Sequence, residues 1–219
     1  MYESVDSRAI LVTFNRGDKL PLVERGMKII YVLMTGQVKL CSTTEGGKEI
    51  ILDVVGPGGA FGPLDEVVTG NATSEPAQLS PLNDLASEAV AISKGNAFRF
   101  SHEYFNELVQ KRPKLVVNLT KLLGTKRKQL EFRLSRLLYR SSLGKVAGLL
   151  AELGERYGSV TKEGIKLEIR LTHQEMASII GVKRETVSEA LAELEYKEII
   201  ETGRNSVIIL KPGLLDSIQ

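Results

Sequence analysis

From Pro113 to about Arg140 the chain contains no further proline and no glycine cluster. Leu115, Leu119, Leu122, Leu123, Leu130, Leu134 and Leu137 recur through this stretch at three- and four-residue steps, the repeat of an α-helix. A helix of that length spans about 40 Å at roughly 1.5 Å per residue. One small domain cannot cover so long a rod, so its apolar seam predicts a second copy of the chain, paired as a two-stranded coiled coil. The seven leucines are the expected dimer interface, with Lys126 and Arg133 interrupting it. The rest of the chain must then be distributed on either side of the rod.

The 219 residues suffice for two modest domains. Residues from about 8 to 95 read as short β-type runs, "AILVTF", "KIIYVLM", "QVKLCSTT", "KEIILDVV" and "EAVAIS". "NRGDKL", "MTG", "TEGGK" and "GPGGAFG" separate them with turn chemistry. Many short strands at close spacing predict a rolled, barrel-like sheet. "SHEYFNELVQKRP" follows as a short helix with Ser101 as its cap, and Pro113 suits the first turn of the long helix. In "YRSSLGK", Ser141 or Ser142 can end one helix and cap the next, from about Leu143 to Tyr157. The expected domains are residues 1–110, a dimerisation helix over 111–140, and residues 141–219.

The last third carries the most specific pattern. In "LTHQEMASIIGVKRETV", Thr172 and Glu175 form a capping box, so a helix starts near His173. Gly181 stops it, and a second helix begins two or three residues later. Val187, Leu191 and Leu194 give that helix one apolar stripe, with Glu185, Ser188, Glu189, Ala192 and Tyr196 on the opposite face. "EIIETGRNSVIIL" then reads as strand, turn, strand. Two short helices joined by a glycine turn and followed by a hairpin are a winged helix-turn-helix. In such a unit the second helix enters the major groove of DNA.

"LTHQEMASIIGVKRETVSEALAELEYKEII" resembles the DNA-binding domain of the cAMP receptor protein/FNR family of bacterial transcription regulators. The likeness extends to "YVLMTGQVKL…GGKEIILDVVGPGGAFG", which is similar to the family's effector domain. It implies an α+β chain: an N-terminal jelly-roll-like β-roll, a long coiled-coil dimerisation helix and a C-terminal winged helix-turn-helix. A two-fold dimer would read a pseudo-palindromic operator, its half-sites one helical turn, roughly 34 Å, apart.

Arg184 lies where a helix meets base edges, and arginine makes paired bonds to guanine O6 and N7. Glu185 can accept from a cytosine amino group. Arg184, Glu185, Ser188 and Glu189 are therefore the expected base contacts. Lys183 is expected on phosphate, as is Arg204 at the wing tip; Thr172, His173, Gln174 and Thr186 join them by resemblance. Where the cAMP receptor protein has a second groove-facing arginine, this chain has Glu189, which implies an altered, less G-rich half-site.

The family's cyclic-nucleotide pocket uses a glutamate after "FG" and an arginine on the phosphate, because a buried phosphate needs a cation. Here Pro63 follows Phe61-Gly62, and Thr73 and Ser74 stand where the arginine belongs. No Arg or Lys occurs between Lys48 and Lys94, and the adenine-facing positions of the long helix are Leu130 and Glu131. This degenerate pocket argues against cAMP. One cysteine, Cys41, excludes an iron–sulfur cluster of the FNR type. His102 and His173 are the two histidines, neither placed to hold haem. No cofactor and no metal are expected.

The chain carries Lys+Arg 29 against Asp+Glu 27, a net charge of +2, so DNA binding must rest on local charge. No apolar run is long enough for a membrane and the start shows no secretory pattern, so a cytoplasmic protein is expected. The expectation is a homodimeric, sequence-specific regulator on double-stranded DNA, an activator by family habit and not cAMP-dependent. RNA polymerase is the implied partner, through patches such as "YGSVTKEG". Two alternatives stay open: a regulator that needs an unidentified small-molecule effector, and a redox- or ligand-sensing repressor. A cyclic-nucleotide module of an enzyme or channel would carry the phosphate-binding arginine and no helix-turn-helix, and fits neither. No Ser/His/Asp set, phosphate-binding glycine loop or zinc spacing points to an enzyme.

Overall fold

The structure is a computed structural model. It describes residues 8–44, 47, 49–64, 88–139, 141–203, 206–215, 217 and 218, with the side chains of 129 and 132–139 outside the description. The chain divides into two compact units, Met1–Lys126 and Arg127–Gln219.

The first unit is a β-roll of two sheets. Strands β1 (Ile10–Phe14), β3 (Val23–Glu24), β4 (Met27–Thr35), β7 (Ala60–Phe61) and β9 (Gly95–Ser101) form one, in the order β1-β9-β4-β3 with β7 against β4. The other is β2 (Lys19–Leu20), β5 (Val38–Thr43), β6 (Glu49–Val55) and β8 (Glu88–Ala91), in the order β2-β8-β5-β6. All pairings are antiparallel. The alternation of β4 serves both of its faces, because successive side chains of a strand point oppositely. Ile29, Tyr31 and Leu33 enter the roll core with Phe14, Val38, Leu40 and Phe61. Ile30 joins the outer cluster with Ala60, Leu64, Phe105, Val109 and Leu119.

That outer cluster fixes the helices. Helix α1 (His102–Lys111) is capped by Ser101, whose side chain accepts from the Tyr104 N–H. Helix α2 (Pro113–Tyr139) starts at the proline. Leu119 is buried against the roll, with Leu115 and Leu122 packed beside it. These three leucines, expected in the dimer interface, thus pack on the roll of their own chain: a helix seated on a roll must spend one stripe there. Lys126 falls on that same stripe rather than interrupting a seam, and its Nζ lies 3.4 Å from an Asp53 carboxylate oxygen and 3.4 Å from the Ala60 carbonyl. Val116 and Val117, 37% and 53% exposed, lie off this stripe, while Leu123 and Leu130 are half-buried. The side chains of Leu134 and Leu137 lie outside the described residues. The roll unit thus takes in the first half of the helix expected as a separate dimerisation segment.

In the second unit, helix α3 (Ser142–Tyr157) is capped by Ser141, which accepts from the Gly144 N–H at 3.1 Å. Strands β10 (Gly158–Val160) and β11 (Ile165–Leu167) form a hairpin. Helices α4 (His173–Ile180) and α5 (Arg184–Tyr196) come next, then β12 (Ile200–Gly203), β13 (Ser206–Ile209) and the short α6 (Pro212–Leu215). The sheet order is β10-β11-β13-β12. Helix α3 packs on α4, α5, α6 and β11. Val146, Leu150, Leu153, Met176, Val187, Leu194, Ile200 and Ile209 are buried there.

Candidate nucleic-acid interface

Helix α4 begins with the expected capping box: Thr172 Oγ1 accepts from the Glu175 N–H, and a Glu175 oxygen accepts from the Thr172 N–H at 2.8 Å. The Thr172 hydroxyl also donates to Glu175 at 2.9 Å. Both donors of Thr172 are thus spent locally, so a phosphate here would have to compete with Glu175. The helix ends at Gly181, whose φ of 71° is left-handed; glycine adopts it without a side-chain penalty.

Helix α5 begins three residues later at Arg184, with Lys183 as its cap residue and no side-chain cap bond. Its first-turn N–H groups therefore have no side chain closing them off, and such a terminus favours an anion. Val187, Ala190, Leu191 and Leu194 are its buried stripe. Lys183, Arg184, Glu185 and Glu189 are exposed, as are His173 and Gln174, while Thr186 and Ser188 are half-buried. Arg204 lies outside the described residues.

Two links were not visible in the sequence. His173 Nδ1 lies 2.8 Å from Ser188 Oγ, joining the start of α4 to the middle of α5. Ser188 Oγ also donates to the Arg184 carbonyl at 3.2 Å. At the far end, Glu195 accepts from both the N–H and the hydroxyl of Thr202, at 2.9 and 2.7 Å, pinning the wing hairpin to α5. These bonds hold the Glu195 carboxyl below its ordinary pKa. A depressed carboxylate stabilises the fold above its unfolded pKa and loses that contribution as pH falls. The Thr202 amide resonance is therefore expected to move on acidification through the lower carboxylate range, and to stay fixed with pH in Glu195→Gln.

In the roll, Phe61 is fully buried and stacks on Tyr31 at 5.0 Å between ring centroids. Gly62 sits at a φ of 114°, against the backbone of Ile29 and Ile30. Both expected pocket residues thus have structural work; Pro63 is half-buried beside them, and Thr73 and Ser74 lie outside the described residues. An open cleft of about 380 Å³ in this unit is lined elsewhere, by Phe14, Lys19, Glu24, Tyr31 and Arg99 among others. The cation that the sequence did not place near the "AFG" segment is Lys126, brought there by α2.

Cys41 is buried in β5, its Sγ 3.7 Å from the Glu88 carbonyl of the neighbouring strand β8. Burial pushes its thiol up to about 11, with Glu49 adding to the effect. A thiol so shifted is almost wholly protonated near neutrality. A disulfide reagent at pH 8 is expected to leave Cys41 unmodified in the folded chain and to titrate one thiol after unfolding. Among the described residues no group of side chains could hold a metal ion, and no helix is long and apolar enough to cross a membrane.

Residues 11–112 match the cyclic nucleotide-binding domain family and residues 144–218 the Crp-like helix-turn-helix domain. The chain belongs to the cAMP receptor protein/FNR family. It is 26% identical over 180 residues to the CRP-like cAMP-activated global transcriptional regulator of Mycobacterium tuberculosis, covering 82% of this chain and 75% of that one. It is 27% identical over 210 residues to the global nitrogen regulator of Synechococcus elongatus, covering 90% of each. The fold is that of FixK2 from Bradyrhizobium japonicum, with a TM-score of 0.75 at 17% identity over 96% of this chain and 97% of that one. The relatives are DNA-binding transcription regulators. The two sequence relatives named here carry different signals in their names, cAMP and nitrogen, so membership in the family leaves the effector open.

Proposed function

We propose that this family member works as a homodimer that reads a pseudo-palindromic operator through α5, as an activator that recruits RNA polymerase, and that it does so without cAMP. The observation that carries the reading is α5 itself: one stripe fully buried, and Arg184, Glu185 and Glu189 exposed together on the rest. Any amphipathic surface helix shows such a stripe; what supports the reading is that α5 is the second helix of a helix-turn-helix, reached through the Gly181 turn, the helix that such units place in the major groove.

The dimer reading is supported by a second apolar stripe of α2. With Leu115, Leu119 and Leu122 on the roll, Val116, Leu123 and Leu130 fall at seven-residue steps, the repeat of a coiled-coil seam. Independence from cAMP is supported by Phe61 and Gly62, occupied in packing, and by the lysine of α2 already paired with Asp53. The Lys126–Asp53 pair ties helix to roll from within the chain, as a bound anion would tie them from outside.

Binding-site selection from random duplex DNA, with purified full-length chain and no added ligand, tests this. Enrichment of a two-fold site, bound by a dimer in sedimentation, is the expected result. A dimer that enriches a site only when cAMP is present overturns the effector-free reading, and a chain that enriches none under either condition overturns the DNA-reading one.

A further inference from the structure

We infer that His173 and Ser188 act as one base-reading unit built across the two helices, which presents a hydrogen-bond acceptor to the groove and selects a base bearing an exocyclic amino group. The inference rests on the DNA-reading proposed above. It starts from one proton. The Ser188 hydroxyl has a single hydrogen, and we assign it to the Arg184 carbonyl, 3.2 Å away one turn back, the bond a serine inside a helix makes to its own backbone. The contact to His173 Nδ1 at 2.8 Å then uses the Ser188 oxygen as acceptor, so Nδ1 carries the ring proton. In a neutral imidazole the other nitrogen, Nε2, is left with a lone pair.

Ser188 is therefore not itself the reader; both of its bonds are made inside the protein. Its work is to fix the tautomer and orientation of His173, which is exposed at the start of α4. Glu185 and Glu189, also exposed, add carboxylate acceptors to the same surface. Acceptors in the major groove are matched by the amino groups of cytosine N4 and adenine N6, and mismatched by guanine O6 and thymine O4. The surface thus divides: Lys183 and Arg184 donate at the helix start, and an acceptor-rich zone follows it.

The test is binding-site selection with the wild-type chain, His173→Ala, Ser188→Ala and the double variant, with circular dichroism and melting curves to confirm folding. The wild type is expected to prefer cytosine or adenine at one position of each half-site. Both single variants should lose that preference, by about tenfold in relative affinity, at that position alone. The double variant should lose no more than the worse single, because the two residues form one unit. Replacing the selected cytosine by uracil, or adenine by purine, should weaken the wild type and leave His173→Ala indifferent. If the variants weaken all sequences alike, or affect different positions, or their losses multiply, the unit does not exist. If no variant, wild type included, enriches a site, the failure lies with the DNA-reading proposal instead.

Discussion

Arg184→Ala is expected to reduce affinity for the selected operator by about 2–6 kcal/mol, because each bidentate contact to guanine is worth about 1–3 kcal/mol and a two-fold site holds two. The loss should be confined to specific binding. Arg184 is exposed and outside the buried stripe of α5, so the melting temperature should change little. A titration against operator and scrambled duplex, repeated over a range of salt, separates two roles. If Arg184 reads guanine, the variant tolerates any base at that position and the salt dependence is nearly unchanged. If it sits on phosphate, affinity falls alike on both duplexes and the slope of log K against log salt shrinks by about one for each lost contact. Arg184→Lys should behave almost as badly as alanine in the first case, since an ammonium cannot make the paired bonds, and nearly as wild type in the second.

This expectation was legible in the sequence because every device that shapes the helix-turn-helix is local. Thr172 and Glu175 are three residues apart and cap each other, and Gly181 supplies the left-handed turn. The burial of Val187, Leu191 and Leu194 follows from their spacing alone. Elements whose role depends on distant partners were harder to read. Strand β9 pairs with both β1 and β4 at the centre of its sheet, yet it opens with Gly95-Asn96 and runs straight into a helix, so it resembles a turn. The leucines of α2 announced a helix but not its faces. Period 3.6 cannot distinguish a stripe that meets the chain's own roll from one left for a partner, and Leu119 and Lys126 fell on the former. His173 and Ser188 are fifteen residues apart, and no spacing rule joins them; only the packing of α4 on α5 does so.

Gly62→Ala is expected to destabilise the roll by about 3 kcal/mol or more. A side chain at a φ of 114° is strained before any contact is considered. A Cβ there would also lie 2.4 Å from the Ile29 carbonyl oxygen and 3.1 Å from the Ile30 Cα. Both are backbone atoms of the strand whose two faces feed the two clusters of this unit, so the overlap cannot be relieved by turning a side chain, and overpacking alone costs about 1–3 kcal/mol. Denaturation of the full-length chain, followed by the Tyr31 and Phe61 environment in near-ultraviolet circular dichroism, should show the roll signal lost at lower urea. The α3–α6 unit has its own buried residues, so its helical signal should persist to higher urea. That separation bears on function. In a ligand pocket the glycine of "FG" is read as room for a ligand, and its alanine variant would then fold normally and lose only a response. Here the space beside Gly62 is already filled by strand β4, so the substitution should act on stability first. A folded Gly62→Ala roll with the wild-type urea midpoint would return this segment to the list of candidate effector contacts.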